Sequence, residues 1–205
     1  YEVHPMWRVR VPDTLCVPKK MLKPPELNRL SWKSGVRIVE TGLPALPKYY
    51  EQCSKLEART RLQLPLDRHV VLVMGGGMGL GPLEQMVDEL NHLQELTTVV
   101  LTGKNEQLYQ KLINKDYQDH IRLEGYREDV EVFMSAADLL ITKPGGVTIT
   151  EAIAKCLPMF LFQAFPGQEE ANQEYLVHHR LAVITRPATV RLQVEKFFQR
   201  KRYTQ

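Results

Sequence analysis

From residue 69 onward, short apolar runs alternate with segments that have helical spacing. The run from Val70 to Met74 is apolar throughout, as expected for a strand that is buried on both faces. Strands that alternate with helices at this spacing form βαβ units, whose right-handed crossovers place helices on both faces of a parallel sheet. We therefore predict an α/β fold with a doubly wound, Rossmann-like parallel sheet. We expect strands at 70–74, 98–101, 120–123, 138–141, 159–162 and 181–184, and helices at 51–64, 82–93, 106–113, 130–136, 147–155 and 169–178.

The rest of the chain is organised around this sheet. Residues 1–40 hold two short apolar runs, at 15–17 and 36–39, which read as strands that cannot form a core alone and need a partner domain. Residues 41–50 contain Gly42, Pro44 and Pro47, which is typical of an interdomain connector. We assign residues 51–190 to the sheet domain and residues 191–205 to a basic C-terminal tail. The chain starts at Tyr1 without a Met, and we expect it to be a fragment.

Composition restricts the partners and the compartment. The net charge of +3 is too small to argue for a nucleic-acid partner. Basic residues are concentrated at both ends of the chain, which can mean contact with anionic lipid or only solvated termini. No apolar run is long enough for a transmembrane helix, and no signal-peptide pattern is present. The three cysteines are far apart and form no metal or disulfide pattern, which indicates a reducing, cytoplasmic compartment.

The stretch from Leu140 to Ala152 is the first candidate binding element. It passes from a buried strand through Pro144, Gly145 and Gly146 into a helical segment, so a helix N-terminus lies at the carboxyl end of a strand. Free backbone N–H groups and the positive end of the helix dipole favour an anion there, and glycines let it approach the backbone closely. The pattern predicts a phosphate-binding turn.

Three further features belong to the same edge of the predicted sheet. The loop at 74–82 has five glycines, but it matches neither the dinucleotide fingerprint nor a P-loop, and a plain tight turn is the alternative. In the loop at 124–129, Tyr126 can flank a planar base or simply pack half-buried. Gln168, Glu169 and Asn172 share one helix face, which suits sugar hydroxyls, although acidic residues there can also serve only the helix dipole.

In combination these motifs resemble the C-terminal half of the diacylglycerol glycosyltransferases. That family includes processive bacterial diacylglycerol glucosyltransferases and plant monogalactosyldiacylglycerol synthases, and it is related to the peptidoglycan GlcNAc transferase. The resemblance is carried by the segments 142–152 and 166–172, the glycine loop at 75–81, the Gly-Tyr-Arg-Glu-Asp loop at 125–129 and the connector segment 41–44.

The resemblance implies a glycosyltransferase-B fold in which this chain holds the UDP-sugar domain, residues 1–40 are a remnant of the N-terminal acceptor domain, and the catalytic base belongs to the missing half. It also implies a set of binding residues. The pyrophosphate would meet Gly76, Gly77, Gly79, Gly145, Gly146 and Thr148. Uracil would meet Tyr126 and Arg127, the ribose hydroxyls Glu151, and the hexose Gln168, Glu169 and Asn172.

The implied reaction is inverting transfer of glucose or galactose from a UDP-sugar to a lipid acceptor such as diacylglycerol, on the cytoplasmic side and peripheral to the membrane. No Asp-x-Asp motif is present, so we expect no metal site and no cofactor beyond the donor. Two alternatives stay open: a nucleotide-sugar-binding partner subunit, and a flavodoxin-like module for another phosphorylated ligand. For Glu151 the alternative is a capping box with Thr148 at the helix start.

Overall fold

A computed structural model of the protein describes residues 13–17, 37–162 and 164–202. In a two-stranded sheet, β1 (Thr14–Val17) pairs in parallel with β2 (Arg37–Glu40), which confirms the two short strands predicted in residues 1–40. The other residues of that segment lie outside the described part. None of the helices described is both long enough and apolar enough to cross a bilayer.

All other strands in the described residues belong to one six-stranded parallel sheet, with helices between successive strands. This is the doubly wound α/β fold that the sequence predicts. The strands are β3 (His69–Met74), β4 (Leu96–Leu101), β5 (Ile121–Glu124), β6 (Leu139–Thr142), β7 (Met159–Leu161) and β8 (Ala182–Ile184), and they lie side by side in the order β5-β4-β3-β6-β7-β8. The helices are α1 (Lys55–Leu62), α2 (Leu83–Leu90), α3 (Glu106–Ile113), α4 (Val130–Ala136), α5 (Gly146–Ala154), α6 (Gln168–His178) and α7 (Pro187–Arg202).

Two predicted helices, at 106–113 and 130–136, have the bounds of α3 and α4, and most other bounds shift by one or two residues. The largest differences are at helix ends. Helix α2 ends at Leu90 rather than 93, because the Leu93 N–H bonds to the Leu90 carbonyl at 2.9 Å in a tighter turn. Helix α1 occupies only part of the predicted 51–64, and it ends at Leu62 because the next residue, Gln63, has the left-handed φ of +54°.

The core lies on both faces of the sheet. Successive side chains of a strand point to opposite faces, so Val70 and Leu72 join one cluster with Phe133, while Val71 joins the other with Met86. All of these side chains are buried, which is the arrangement expected for a parallel sheet covered by helices.

The C-terminal segment belongs to this core. Val190, Val194 and Phe198 recur every fourth residue along α7, and all three are buried in the cluster that contains α2. Residues 191–202 are therefore part of a packed helix, and the prediction of a separate basic tail from residue 191 is wrong for them. The basic residues of this segment drew attention away from its apolar residues, which recur with the period of a helix.

The predicted connector at 41–50 divides into two parts. Residues 41–46 have no regular structure, whereas Pro47–Tyr49 form a short 3-10 helix whose Tyr49 is buried in the core. Lys48 forms an ion pair with Glu131 of α4 at 2.7 Å, and Lys155 donates to the Glu51 carbonyl at 2.8 Å. Residues 47–51 are thus attached to the large domain.

A buried charge network stabilises the amino-terminal edge of the sheet. The carboxylate of Asp138 accepts from the guanidinium of Arg59 at 2.6 Å, from the Val70 N–H at 2.8 Å and from Lys55. Burial alone raises the pKa of Asp138, but the hydrogen bonds and charges of these partners outweigh it and lower the pKa below its ordinary value. The ion pair joins α1 to β3 and β6.

We expect Asp138→Asn to lower the free energy of unfolding by about 3 kcal/mol, because Arg59, only 6% exposed, loses its counter-charge. Urea denaturation at pH 7 measures this loss. Since the folded-state pKa is depressed, the contribution is present above the unfolded carboxyl pKa of about 3.9 and disappears as pH falls through the folded-state value. The difference between variant and unmutated protein should therefore shrink at acid pH.

The matched control is Asp88→Asn, because Asp88 also pairs with a lysine, Lys115 at 2.8 Å, but its side chain is 44% exposed. That change should cost less than about 1 kcal/mol. Equal losses for the two variants would contradict the assignment of Asp138 as the central charge of the network.

Candidate functional site

The site lies where β3 and β6 end. Met74 and Thr142 are partners in the parallel ladder, so the glycine loop after β3 and the Pro-Gly-Gly turn after β6 start side by side. The start of α6 adjoins them. Together these segments enclose a cavity of about 320 Å³. The lining residues are Gly75, Gly76, Gly77, Met78, Leu80, Lys143, Gly145, Gly146, Val147, Thr148, Gln168, Glu169 and Asn172.

Two clefts elsewhere are larger, with volumes of about 510 and 680 Å³. Neither is lined by a glycine. The smaller cavity lies at the switch point of the doubly wound sheet, where the chain leaves β3 toward β4 on one side and β6 lies on the other. Its chemistry, rather than its size, makes it the candidate site.

The glycines of the loop after β3 have different roles. A Cβ on Gly77 would meet no atom within 4 Å, so this residue presents open backbone to the cavity. Gly79 has φ +57°, and a Cβ there would lie 2.0 Å from the carbonyl oxygen of Thr102. Gly76 and Gly77 line the cavity, whereas Gly79 packs against the loop after β4 and is absent from the lining.

The N-terminus of α5 faces the same space. The helix begins at Gly146, Gly145 is its N-cap, and no side chain caps it. The first N–H groups of a helix have no acceptor within the helix, and the dipole places partial positive charge beside them. Because Gly145, Gly146 and Thr148 all line the cavity, this end of α5 is suited to an anion.

Lys143 and Glu169 cross the cavity as an ion pair that the sequence reasoning missed. Their side chains are only 18% and 15% exposed. The second carboxylate oxygen of Glu169 accepts from the Phe165 N–H at 3.2 Å. Glu169 lines the cavity, but its carboxylate already has partners within the protein. A cation directly before the Pro-Gly-Gly turn was the available signal for Lys143.

Asn172 is the most buried polar group of the site, at 1% exposed. Its amide nitrogen donates to the Pro144 carbonyl at 2.9 Å, while its amide oxygen is buried without a partner. This oxygen can accept a hydrogen bond from a hydroxyl or N–H donor. Gln168 also lines the cavity. Glu170 does not line it, and its carboxylate accepts from the Gly167 N–H at 3.0 Å at the start of α6.

Glu151 lies one turn into α5 and is buried outside the cavity lining. Because the helix begins at Gly146, Thr148 is not its N-cap and the capping-box alternative is wrong. The hydroxyl of Tyr49 donates to the Glu151 carboxylate. Burial raises the pKa of Glu151, although the Tyr49 hydroxyl and the charge of Lys48 oppose that shift.

Tyr126 and Arg127 follow β5 and are also absent from the cavity lining. Tyr126 is 54% exposed, and the ammonium of Lys104 lies 5.2 Å from its ring centre. Arg127 forms a bidentate pair with Asp129 at 2.9 Å, which raises the pKa of Arg127. The structure thus leaves the Tyr126 ring accessible but commits the Arg127 guanidinium to its own loop.

The chain is similar in sequence to curated proteins over most of its length. The chain is 32% identical over 187 residues to the processive diacylglycerol beta-glucosyltransferase of Bacillus cereus, covering 90% of this chain and 48% of the relative. It is 32% identical over 193 residues to monogalactosyldiacylglycerol synthase 2 of Arabidopsis thaliana, covering 89% and 41%. The chain spans about half the length of the curated relatives it matches.

Solved structures confirm the fold. Acinetobacter baumannii MurG superposes with a TM-score of 0.61 at 16% identity, over 85% of this chain and 55% of that one. WaaG, a glycosyltransferase involved in lipopolysaccharide biosynthesis, superposes with a TM-score of 0.60 at 16% identity, over 86% and 52%. Residues 70–199 match the glycosyltransferase family 28 C-terminal domain, which is more than half of the chain, and the chain therefore belongs to that family.

Proposed function

We propose that this chain supplies the UDP-sugar site of an inverting glycosyltransferase that moves glucose or galactose to a lipid acceptor such as diacylglycerol. One observation carries the proposal: the cavity at which an open glycine loop meets the uncapped N-terminus of α5. Backbone N–H groups and a helix dipole suit a diphosphate. The names of the relatives support the sugar and the lipid acceptor.

Each part of the donor has a corresponding group. The diphosphate would lie against Gly76, Gly77 and the start of α5, and the hexose against the amide oxygen of Asn172 and the carboxylate of Glu169. The exposed ring of Tyr126 would stack on uracil, because every base offers a flat face for stacking. Glu151 would accept from the ribose hydroxyls while Tyr49 holds its carboxylate. Gly79 and Arg127 position their loops in this proposal.

The reaction is a displacement at the anomeric carbon. An acceptor hydroxyl oxygen attacks this carbon, the bond to the diphosphate oxygen breaks with inversion, and UDP leaves. A general base on the acceptor-binding part of the enzyme takes the hydroxyl proton. The backbone N–H groups at the glycine loop and α5 are fixed in place, so they stabilise the negative charge that develops on the leaving group.

The acceptor is a membrane lipid in this proposal, so the protein would meet it at a membrane surface from the cytoplasmic side. The donor is the only small molecule that the cavity would need. Attachment is proposed as peripheral, through the basic residues concentrated at the ends of the chain, with anionic lipid as the counterpart.

We expect UDP, UDP-glucose and UDP-galactose to raise the melting temperature of the chain, because a ligand that binds only the folded state stabilises it. At a hundredfold excess over Kd the gain is about 2.7 kcal/mol. For a chain of this size, that corresponds to an increase of about 5–10 °C. NAD, FAD and ATP should leave the melting temperature unchanged. A thermal-shift screen makes the test, and an equal shift with NAD, or none with any UDP compound, would reject the proposal.

Two glycine substitutions separate binding from folding. Gly77→Ala adds a methyl group into open space, so it should leave the unfolding free energy within about 1 kcal/mol while it weakens UDP binding about tenfold. Gly79→Ala forces a clash with the Thr102 carbonyl at a positive φ, so it should destabilise the chain by more than about 2 kcal/mol. Denaturation and calorimetric titration measure both, and unchanged UDP affinity in Gly77→Ala would remove this residue from the site.

For Glu151, we expect Glu151→Gln to weaken UDP binding about a hundredfold. Charge-assisted hydrogen bonds to two ribose hydroxyls are lost, and each is worth about 1.5–3 kcal/mol. The control is Tyr49→Phe, which removes the hydroxyl that holds Glu151 but retains the carboxylate. That variant should lose stability more than UDP affinity. Calorimetric affinity of Glu151→Gln within about threefold of the unmutated chain would show that Glu151 serves only to hold Tyr49.

A further inference from the structure

The Lys143–Glu169 ion pair lies at the meeting point of the two glycine-containing segments. The Lys143 Cε would be 3.4 Å from a Cβ on Gly76, and its Nζ would be 3.2 Å from a Cβ on Gly145. Its side chain therefore runs between the glycine loop and the N-cap of α5. These are the two backbone segments that line the cavity as candidate diphosphate contacts.

Glu169 supplies the counter-charge at this point. One of its oxygens pairs with Lys143, and it would lie only 3.7 Å from a Cβ on Gly145. The positive end of the α5 dipole and the lysine ammonium lie close together, and solvent screens them only in part, since the side chains of Lys143 and Glu169 are less than one-fifth exposed. The carboxylate of Glu169 neutralises part of this positive charge.

A diphosphate changes this balance. It brings negative charge to the position that Glu169 now neutralises, so the carboxylate and the diphosphate repel each other while both attract Lys143. The buried acceptor of Asn172 lies one helical turn from Glu169 on the same face of α6, ready for a ligand hydroxyl. A hexose attached to the diphosphate offers hydroxyl donors to both side chains.

We propose that the Lys143–Glu169 pair exchanges partners when a nucleotide sugar binds. Lys143 moves to the diphosphate, and the carboxylate of Glu169 accepts from hexose hydroxyls instead. This inference rests on the proposed function. When the sugar has been transferred, the hexose hydroxyls are gone, so Glu169 pairs with Lys143 again and the lysine binds UDP less tightly. The pair thus makes the site favour the intact donor over the product.

The test measures the affinities of UDP, UDP-glucose and UDP-galactose for four proteins by calorimetric titration. In Glu169→Gln, Lys143 has lost its partner, so the affinity for UDP should rise about tenfold. The affinity for the UDP-hexose that binds the unmutated chain should stay the same or fall. The affinity for UDP divided by the affinity for the UDP-hexose therefore rises about tenfold or more. The double variant Lys143→Met/Glu169→Gln lacks both charges and should bind UDP at least about tenfold more weakly than Glu169→Gln.

Glu170→Gln is the matched control, because Glu170 is the adjacent carboxylate and accepts from the Gly167 N–H without lining the cavity. Its ratio of affinities should equal that of the unmutated chain. Equal changes for UDP and UDP-hexose in Glu169→Gln, or equal UDP affinities of Glu169→Gln and the double variant, would overturn the exchange while the proposed function stands. Failure of the unmutated chain to bind any UDP compound would overturn both. Thermal unfolding confirms that each variant is folded.

Discussion

The parallel pairing of β3 with β6 is the constraint on which the rest of the site depends. Because their hydrogen-bonded register ends with Met74 opposite Thr142, two loops far apart in sequence leave the sheet at one level. The glycine loop and the N-terminus of α5 then face each other across the cavity. A shift of register by one residue would turn the buried side chains of β6 to the opposite face, so core packing itself fixes the geometry of the cavity.

An ion pair lies at each end of β6, and the two pairs differ in their surroundings. At its amino-terminal end Asp138 is enclosed by Arg59, Lys55 and a backbone N–H, so it is fully committed to holding α1 against the sheet. At its carboxyl-terminal end Lys143 has one counter-charge, and open glycine backbone surrounds it. The same physical pairing of opposite charges is therefore structural at one end of the strand and available to a ligand at the other. The surrounding backbone makes the difference.

Local periodicity was sufficient to predict the fold, because strands buried on both faces and amphipathic helices carry their own sequence patterns. The loops predicted at the carboxyl edge of the sheet do meet, since parallel strands bring their carboxyl ends together. The residues of these loops that line one cavity are Gly76, Gly77, Gly145, Gly146, Thr148, Gln168, Glu169 and Asn172, and their roles toward a ligand stay predictions. Some contacts were not predicted. Gly79 abuts Thr102 and Tyr49 contacts Glu151 over long sequence separations, which no local pattern reveals. Arg127 pairs with Asp129 only two residues away, and the roles of Gly79 and Arg127 toward a ligand stay predictions. The apolar stripe of α7 was hidden by its basic neighbours.

The attachment of residues 47–51 has a mechanical consequence. Tyr49 is buried in the core, Lys48 is paired with α4, and the Glu51 carbonyl is held by Lys155. Ala45 also packs against this core, so a change of angle between the two-stranded sheet and the large sheet would have to take place in residues 41–44, which have no regular structure. Gly42 lies in this segment with φ +73°, and a Cβ there would meet no atom within 4 Å, so packing does not restrain it. The short 3-10 helix after this segment would stay with the large sheet, where its Tyr49 contacts Glu151.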